Sequence, residues 1–222
     1  MKTALIFGSS GLIGSHLLNL IIKDKNYNKV KIFVRSNFVK DNSKIEIIKV
    51  DFNNLENYKD AIVGDDCFFC IGTTRKNTPD KDQYKKIECN LPVDVAKIAK
   101  LNSVNNFIYI SSLGANPNAA SLYLKNKGKA EEELIKLSFS NLSILRPSIL
   151  LGNRKENRVG EKIGIFAMKT VSPLFLGKMK KYKPIKVENV AKTMLQVAQK
   201  NYQKNIFESD EITKIGSSVQ KI

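Results

Sequence analysis

The sequence of 222 residues has one histidine, three cysteines and no tryptophan. With His16 alone, metal sites built on several histidines and catalytic triads centred on histidine are excluded. No apolar run approaches the roughly 18–20 residues of a membrane-spanning helix, so no membrane span is expected. The apolar stretch at the amino terminus is too short for a secretory signal. An odd number of cysteines without such a signal indicates reduced thiols and predicts a cytoplasmic protein.

Two of the cysteines form a Cys-x-x-Cys pair, Cys67 and Cys70, inside an apolar stretch that reads as a buried strand. Residues three apart on a strand point to opposite faces. This spacing predicts two core thiols rather than a redox or metal site.

Acidic residues and arginines are scarce beside the many lysines. Lysine and arginine total 37, of which only 5 are arginine, against 21 acidic residues, and the net charge is +16. Such a charge fits a basic patch for nucleic acid or the attraction of anionic ligands. The lysines are scattered and are not interleaved with aromatic side chains, as surfaces that stack bases are. The pattern therefore favours a solvated basic surface with no specific nucleic-acid partner.

Apolar runs alternate with stretches of helical spacing up to about residue 150, and the pattern then loosens. The predicted strands are Lys2–Phe7, Val30–Val34, Ile45–Val50, Asp66–Ile71, Phe107–Ile110 and Leu142–Leu145. Near-continuous apolar strands that alternate with helices indicate a parallel sheet covered on both faces. The sequence predicts one α/β domain over residues 1–222, a Rossmann-like doubly wound parallel sheet to which residues 151–222 contribute a small substrate lobe.

The first strand runs into a glycine-rich turn that leads directly into a helix, Gly8-Ser9-Ser10-Gly11-Leu12-Ile13-Gly14. Glycines let the backbone approach phosphates closely, and the amides and dipole at a helix amino terminus bind anions. The strand-turn-helix context predicts a dinucleotide site, although the glycine spacing differs from G-x-G-x-x-G.

The end of the second strand indicates which dinucleotide is bound. It carries Arg35 and Ser36 where an acid would bind the ribose hydroxyls of NAD. An arginine there accommodates the 2′-phosphate of NADP, so NADP is expected and NAD is the alternative. Arg35 could otherwise be an ordinary surface residue.

Further candidates follow the third and fourth strands, at the rim where open α/β sheets bind ligands. Asp51 is predicted either to face the adenine or to cap the next turn. Gly72, Thr73 and Thr74 are expected to line the cofactor ribose.

The candidate catalytic groups follow the fifth strand. Ser111 and Ser112 close that strand, and Tyr123 and Lys127 are four residues apart in the next predicted helix. That spacing places the phenol and the ammonium on one helix face. A nearby cation favours the phenolate, so Tyr123 is a candidate acid/base. A serine across the cleft could hold the substrate oxygen.

With these motifs the sequence resembles the short-chain dehydrogenase/reductase superfamily, in its atypical branch with an NAD(P)-binding Rossmann domain. It is especially similar to the Tat-interacting oxidoreductase-like branch. The matching segments extend to about residue 200 and include the glycine turn, Gly72-Thr73-Thr74-Arg75, Ile110–Ala115, Tyr123–Glu131 and Leu145–Ser148.

The resemblance implies a role for each part of the cofactor site. The glycine turn would cradle the pyrophosphate and Arg35 would select NADP. Pro147 and Ser148 would lie against the nicotinamide. Asn90 matches an asparagine that is common in the superfamily's middle helix.

The resemblance also implies catalytic roles. Ser112 would orient the substrate carbonyl, with Ser111 as the second choice. Tyr123 would donate or accept the proton, and Lys127 would bind the nicotinamide ribose and favour the Tyr123 phenolate.

The leading hypothesis is therefore an NADP-dependent oxidoreductase that acts on a small carbonyl or alcohol substrate. The first alternative is an NAD(P)-sensing binding protein with little or no turnover. The second is a nucleotide-sugar epimerase or dehydratase, which the shortness of the chain disfavours. A monomer and a homodimer both remain open.

Overall fold

The computed structural model describes residues 1–36, 41–152 and 177–218. The strands in this part of the chain are β1 (Lys2–Phe7), β2 (Tyr27–Val34), β3 (Ile45–Lys49), β4 (Asp66–Phe69), β5 (Asn106–Ile110), β6 (Asn141–Arg146), β7 (Leu150–Leu151), β8 (Ile185–Lys186) and β9 (Ile206–Glu208). Seven of them form one parallel sheet in the order β3-β2-β1-β4-β5-β6-β9. The short strands β7 and β8 pair separately.

The α-helices within the same residues are α1 (Leu12–Lys23), α2 (Lys81–Lys85), α3 (Leu91–Leu101), α4 (Leu122–Lys136), α5 (Val187–Gln199) and α6 (Ser209–Ser218). A π-helical turn, Lys86–Asn90, joins α2 to α3. Residues Leu55–Ala61 and Gly177–Tyr182 form 3₁₀ helices.

Both faces of the sheet are buried. Successive strand residues enter different cores because they point to opposite sides of the sheet. On one face Ala4 and Ile6 of β1 pack in a core that includes apolar residues of α1 and α5. On the other face Leu5 and Phe7 pack in a core that includes residues of α3 and α4. This architecture confirms the predicted Rossmann-like parallel sheet.

The two cysteines of the Cys-x-x-Cys pair lie on opposite faces, as predicted. Cys67 is fully buried in the core beneath α3 and α4. Cys70 packs against the other core, and its Sγ lies 3.9 Å from Sδ of Met194. Both thiols are free.

The carboxyl-terminal third of the chain adds a strand to the main sheet and a helix to one of its faces. Helix α5 packs on α1, and β9 extends the sheet beside β6. The sequence patterns predicted neither β9 nor α6. Within the predicted substrate lobe, residues 151–222, the stretches 153–176 and 219–222 lie outside the described residues. In the described parts of the chain, no helix has the length and apolar character needed to span a membrane.

Candidate dinucleotide and catalytic site

The glycine turn is held in a shape that side chains would prevent. Gly8 has a φ of +90°, and a Cβ there would lie 2.9 Å from the carbonyl carbon of Cys70. A Cβ on Gly14 would lie 2.1 Å from the carbonyl oxygen of Gly8. The amide of Gly11 donates to that same carbonyl oxygen at 3.0 Å. The first turn of α1 therefore packs directly on the end of β1, which requires glycine at both contacts.

The amino end of α1 fits an anionic group. Its N-cap residue, Gly11, offers no side-chain cap, and no acidic residue lies in the first turn. The free amides and the helix dipole are thus left without a local acceptor. Ser10 and Gly11 are exposed, Leu12 is half-buried, and Ser9 and Ile13 are buried. A cradle of this kind suits the pyrophosphate of a dinucleotide.

Arg35 and Asp51 lie at the carboxyl ends of neighbouring strands. Arg35 is exposed just beyond β2, which pairs with β1. Asp51 accepts hydrogen bonds from the amide of Asn53 at 2.9 Å and from the side chain of Asn54 at 2.7 Å. These two hydrogen bonds lower the pKa of the Asp51 carboxyl, and the bond from the Asn53 amide has the larger effect. Of the two predicted roles for Asp51, the structure shows the turn cap.

The two serines after β5 have different surroundings. Ser111 is buried and its hydroxyl bonds the carboxylate of Glu131. The guanidinium of Arg146 also donates to Glu131. Ser112 is half-buried, and its hydroxyl has no hydrogen-bond partner within the described ranges. The Ser112 hydroxyl is therefore the one available to a ligand.

Lys127 differs in burial from the neighbouring lysines of helix α4. Lys127 is buried with 4% of its side chain exposed, whereas Lys125 and Lys129 are exposed. The Lys127 ammonium donates to the carbonyl oxygen of Ile110 at 3.0 Å and lies 4.8 Å from the ring centroid of Tyr109. Of these three lysines, the one four residues after Tyr123 is therefore the one that is buried.

Glu88 lies at this site and was not predicted. Its side chain is 1% exposed, and Oε2 lies 3.1 Å from Nζ of Lys127. Oε1 accepts a hydrogen bond from the Thr73 amide. Asn90, which the resemblance matched to a superfamily asparagine, is exposed two residues further on. Both residues lie in the π-helical turn, where the wider winding changes which side chain faces the sheet.

Charges at the site are strongly coupled. Burial opposes the charge on Lys127, but the Glu88 carboxylate, helped by Tyr109 and Tyr123, raises the pKa of Lys127 well above its usual value. Burial, followed by Glu88 and Tyr123, raises the pKa of Tyr84 to about 12. Three tyrosines, one lysine and one carboxylate therefore form a single electrostatic cluster, and Tyr123 is its half-buried member.

The loop after β4 packs on this cluster. A Cβ on Gly72 would lie 3.3 Å from Oε1 of Glu88. The hydroxyl of Thr73 bonds that of Thr78 at 2.8 Å, and the hydroxyl of Thr74 accepts from the Asn77 amide at 3.2 Å. Both threonine hydroxyls thus stabilise the loop itself.

Pro147 and Ser148 tie the loop after β6 to its neighbours. The carbonyl oxygen of Pro147 accepts from the amide of Leu113 at 2.9 Å. The hydroxyl of Ser148 donates to the carbonyl oxygen of Lys183 at 2.5 Å and accepts from the hydroxyl of Ser209 at 2.9 Å. Ser148 therefore has a bonding role that its sequence position did not indicate.

A doubly wound parallel sheet with a glycine cradle at the first helix defines a dinucleotide-binding protein of the Rossmann class. A family model described as NAD(P)H-binding matches residues 8–201. The chain belongs to this family.

The curated relatives and solved structures agree with that assignment. The chain is 29% identical to "Protein FMP52, mitochondrial" of Candida albicans over 96% of this chain and 98% of the relative. It is 33% identical to "Protein HTATIP2" of Rattus norvegicus over 72% of this chain and 67% of the relative. The fold is similar to that of the Bordetella bronchiseptica enzyme WbmH in complex with NAD⁺, with a TM-score of 0.73, 16% identity and coverage of 98% and 80%. The predicted resemblance to NAD(P)-binding Tat-interacting relatives is confirmed.

The predicted cytoplasmic location is wrong. Several curated relatives at 29–30% identity, from three yeasts, are named mitochondrial. Three free cysteines argue only against an oxidising secretory compartment. They do not distinguish among compartments that keep thiols reduced.

Proposed function

We propose that the protein is an NADP-dependent oxidoreductase that interconverts a small carbonyl compound and its alcohol, with Tyr123 as the acid/base. The observation that supports this most directly is the buried Lys127 ammonium, which lies four residues after Tyr123 on the same face of helix α4. A phenol beside a fixed cation is suited to exchange a proton with a substrate oxygen.

The residues that would hold the cofactor are the glycine turn, for the pyrophosphate, and Arg35, for the 2′-phosphate. The Arg35 side chain is exposed and can reach a ligand at the carboxyl end of β2. When bound, the nicotinamide supplies or accepts the hydride.

The remaining chemistry would belong to the protein. The available hydroxyl of Ser112 would donate a hydrogen bond to the substrate oxygen and fix its direction. The Tyr123 phenol would give its proton to that oxygen in reduction and take it back in oxidation. Lys127 would stabilise the phenolate left behind.

Calorimetric titration with NADPH and NADH tests the cofactor part of the proposal. We expect tighter binding of NADPH, because Arg35 adds a charge-assisted contact to the 2′-phosphate. Arg35→Ser should remove about a tenfold or greater preference while leaving NADH binding unchanged. Lys49→Ser, at the end of the neighbouring strand, serves as a charge-matched control. Equal affinities of the wild type for the two nucleotides would contradict NADP selection.

Turnover tests the acid/base part. A panel of aldehydes, ketones and alcohols identifies a substrate, and Tyr123→Phe is then expected to lower kcat by at least about a hundredfold because general acid/base catalysis contributes that much. Cofactor affinity should stay the same. Full turnover by the phenylalanine variant would refute the role of Tyr123.

A binding protein that senses the nucleotide is the second candidate. It is favoured by one observation: Lys127 is already engaged by Glu88 and by the carbonyl oxygen of Ile110. In addition, the printed names FMP52 and HTATIP2 state no reaction. Tight NADPH binding without turnover across the whole substrate panel would support this candidate over the enzyme.

A further inference from the structure

Arg146 ends strand β6 and binds carboxylates from two other elements. Its Nε and Nη2 atoms donate to the two oxygens of Glu131 in helix α4, with Nε 3.0 Å from Oε1. Its Nη1 atom donates at 3.2 Å to Oε1 of Glu208, the paired residue of β9. The side chains of Arg146 and Glu131 are 20% and 3% exposed. A forked pair of guanidinium and carboxylate fixes the orientation of both partners.

The Glu131 carboxylate also binds the first residue after β5. The Ser111 hydroxyl donates to Oε1 of Glu131, the same oxygen that Nε of Arg146 contacts. The Ser111 amide donates to the carbonyl oxygen of Leu145 at 2.8 Å. Ser111 is therefore held by its side chain to helix α4 and by its backbone to β6.

Ser112 lies between two anchored residues. On one side is Ser111, and on the other is Leu113, whose amide donates at 2.9 Å to the carbonyl oxygen of Pro147, the residue after Arg146. The Ser112 hydroxyl itself has no hydrogen-bond partner among the residues that the structure describes. The backbone of Ser112 is thus fixed from both sides, while its hydroxyl stays available to a ligand.

The loops after β5 and β6 lie on the side of β1 that is opposite to Arg35. The glycine turn follows β1 and Arg35 follows β2, whereas β4, β5 and β6 lie beyond β1 in the other direction. In sheets of this kind a dinucleotide lies across the carboxyl ends of the strands. With the pyrophosphate at the glycine turn and the 2′-phosphate at Arg35, the nicotinamide half would extend toward β5 and β6.

We propose that Arg146 and Glu131 are positioning residues that set the loops after β5 and β6, and with them Ser112, at the nicotinamide half of the cofactor. The inference rests on the proposed function for the cofactor and for the use of Ser112. Glu208 binds the same guanidinium but belongs to β9, beyond β6 in the sheet order. Its loss leaves the contacts among Ser111, Glu131 and Arg146 in place.

Calorimetric titration with NADPH and with adenosine 2′,5′-bisphosphate tests this positioning. The bisphosphate carries the adenosine half and the 2′-phosphate of NADPH but lacks the nicotinamide. In Glu131→Gln, and in Arg146→Lys, which keeps the charge but loses the fork, we expect the Kd for NADPH to rise about tenfold, as for the loss of about one hydrogen bond. The Kd for the bisphosphate should stay the same. Glu208→Gln is the matched control and should bind both ligands like the wild type.

A role in stability alone would lower the melting temperature of Glu131→Gln and Arg146→Lys but leave their NADPH affinity at the wild-type value, and this result would overturn the proposal. Equal losses of affinity for the two ligands would also overturn it. Ser111→Ala, which removes one hydroxyl from the network, gives the same comparison where a charge variant folds poorly, with a smaller loss expected for NADPH alone. A wild type that binds no nucleotide would contradict the proposed cofactor and, with it, this inference.

Kinetics give a second test once a substrate is identified. If Arg146 acts through Ser112, Arg146→Lys should lower kcat in the wild type and lower it little further in Ser112→Ala. Losses that multiply in the double variant would overturn the action through Ser112. A wild type that binds NADPH but turns over no substrate would contradict the proposed enzyme, and the two titrations would still decide whether the pair positions the nicotinamide end.

Discussion

At the scale of single residues, burial decides which polar groups are available for chemistry. Ser111 and Ser112 are adjacent, yet one is bound to Glu131 and the other is free to meet a ligand. Lys127 is buried, whereas Lys125 and Lys129 face solvent. Identical side chains a residue or two apart therefore have different energies, because a buried polar group must be paired.

The thiol of Cys70 supports a prediction about alkaline stability. Burial raises its pKa from 9.0 to about 12, although the nearby Lys127 opposes this. Above pH 9 the unfolded chain therefore loses a proton that the folded protein retains, so the free energy of unfolding falls between about pH 9 and 12. The slope from this one thiol is at most about 1.4 kcal/mol per pH unit.

Urea denaturation at a series of pH values from 8 to 11 measures this slope. Cys70→Ala should show a shallower decline than the wild type over the same interval. Cys89→Ala, at a buried thiol whose pKa is raised by burial but lowered by the nearby Lys85 and Lys129, should change the slope less. The same slope in wild type and Cys70→Ala would show that this thiol does not contribute.

At the scale of elements, the loop after β5 is held against helix α4 by the absence of one side chain. A Cβ on Gly128 would lie 2.3 Å from the carbonyl carbon of Asn116 and 2.4 Å from the nitrogen of Pro117. This contact fixes the segment that begins at Ser112 relative to Lys127, the residue before Gly128. The geometry of the candidate site thus depends on helix and loop packing at backbone distance.

Gly128→Ala is expected to destabilise the protein by about 2 kcal/mol or more. Alanine favours a helix over glycine by about 1 kcal/mol, but backbone displacement in a packed contact costs more than that gain. Guanidinium chloride denaturation measures the loss, with Lys129→Ala at an exposed position of the same helix as the neutral control. A Gly128→Ala variant as stable as the wild type would mean that the loop can shift freely.

At the scale of the whole molecule, the two edges of the sheet that are formed by the carboxyl and the amino ends of its strands have different roles. The carboxyl edge carries the glycine turn and the catalytic candidates. At the amino edge the buried carboxylate of Asp66 accepts from Lys2, Tyr27 and Asn106, which lie on three other strands. Burial and the Asp66 charge raise the pKa of Tyr27, so this phenol stays protonated and donates. This edge fastens β1, β2, β4 and β5 together.

Asp66→Asn should therefore lower stability without changing the site. We expect a loss of about 2–4 kcal/mol in the free energy of unfolding, because the amide removes the charge and replaces one acceptor oxygen by an NH2 group that faces buried donors. NADPH affinity, measured by calorimetry below the melting temperature, should match that of the wild type. Glu46→Gln breaks an exposed pair with Lys29 and should cost under about 1 kcal/mol. A large loss of NADPH affinity in Asp66→Asn would contradict the separation of the two edges.

The sequence by itself determined the features that depend on near neighbours along the chain. The apolar runs gave the first six strands of the main sheet to within three residues at each end. The glycine spacing defined the turn, and i, i+4 spacing placed Tyr123 and Lys127 on one face of a helix. Strand alternation separated Cys67 from Cys70. Each follows from backbone geometry over a few residues, which sequence patterns report directly.

Only the tertiary structure decided which distant groups meet. Glu88 reaches Lys127 from 39 residues away in sequence because a π-helical turn faces it toward the sheet. Ser148 meets Ser209 because β9 pairs with β6. No local pattern encodes these contacts, since they depend on strand order and on helix winding. The buried charge behind the lysine is thus a product of the assembled fold, whereas the turn and the tyrosine helix are properties of the chain.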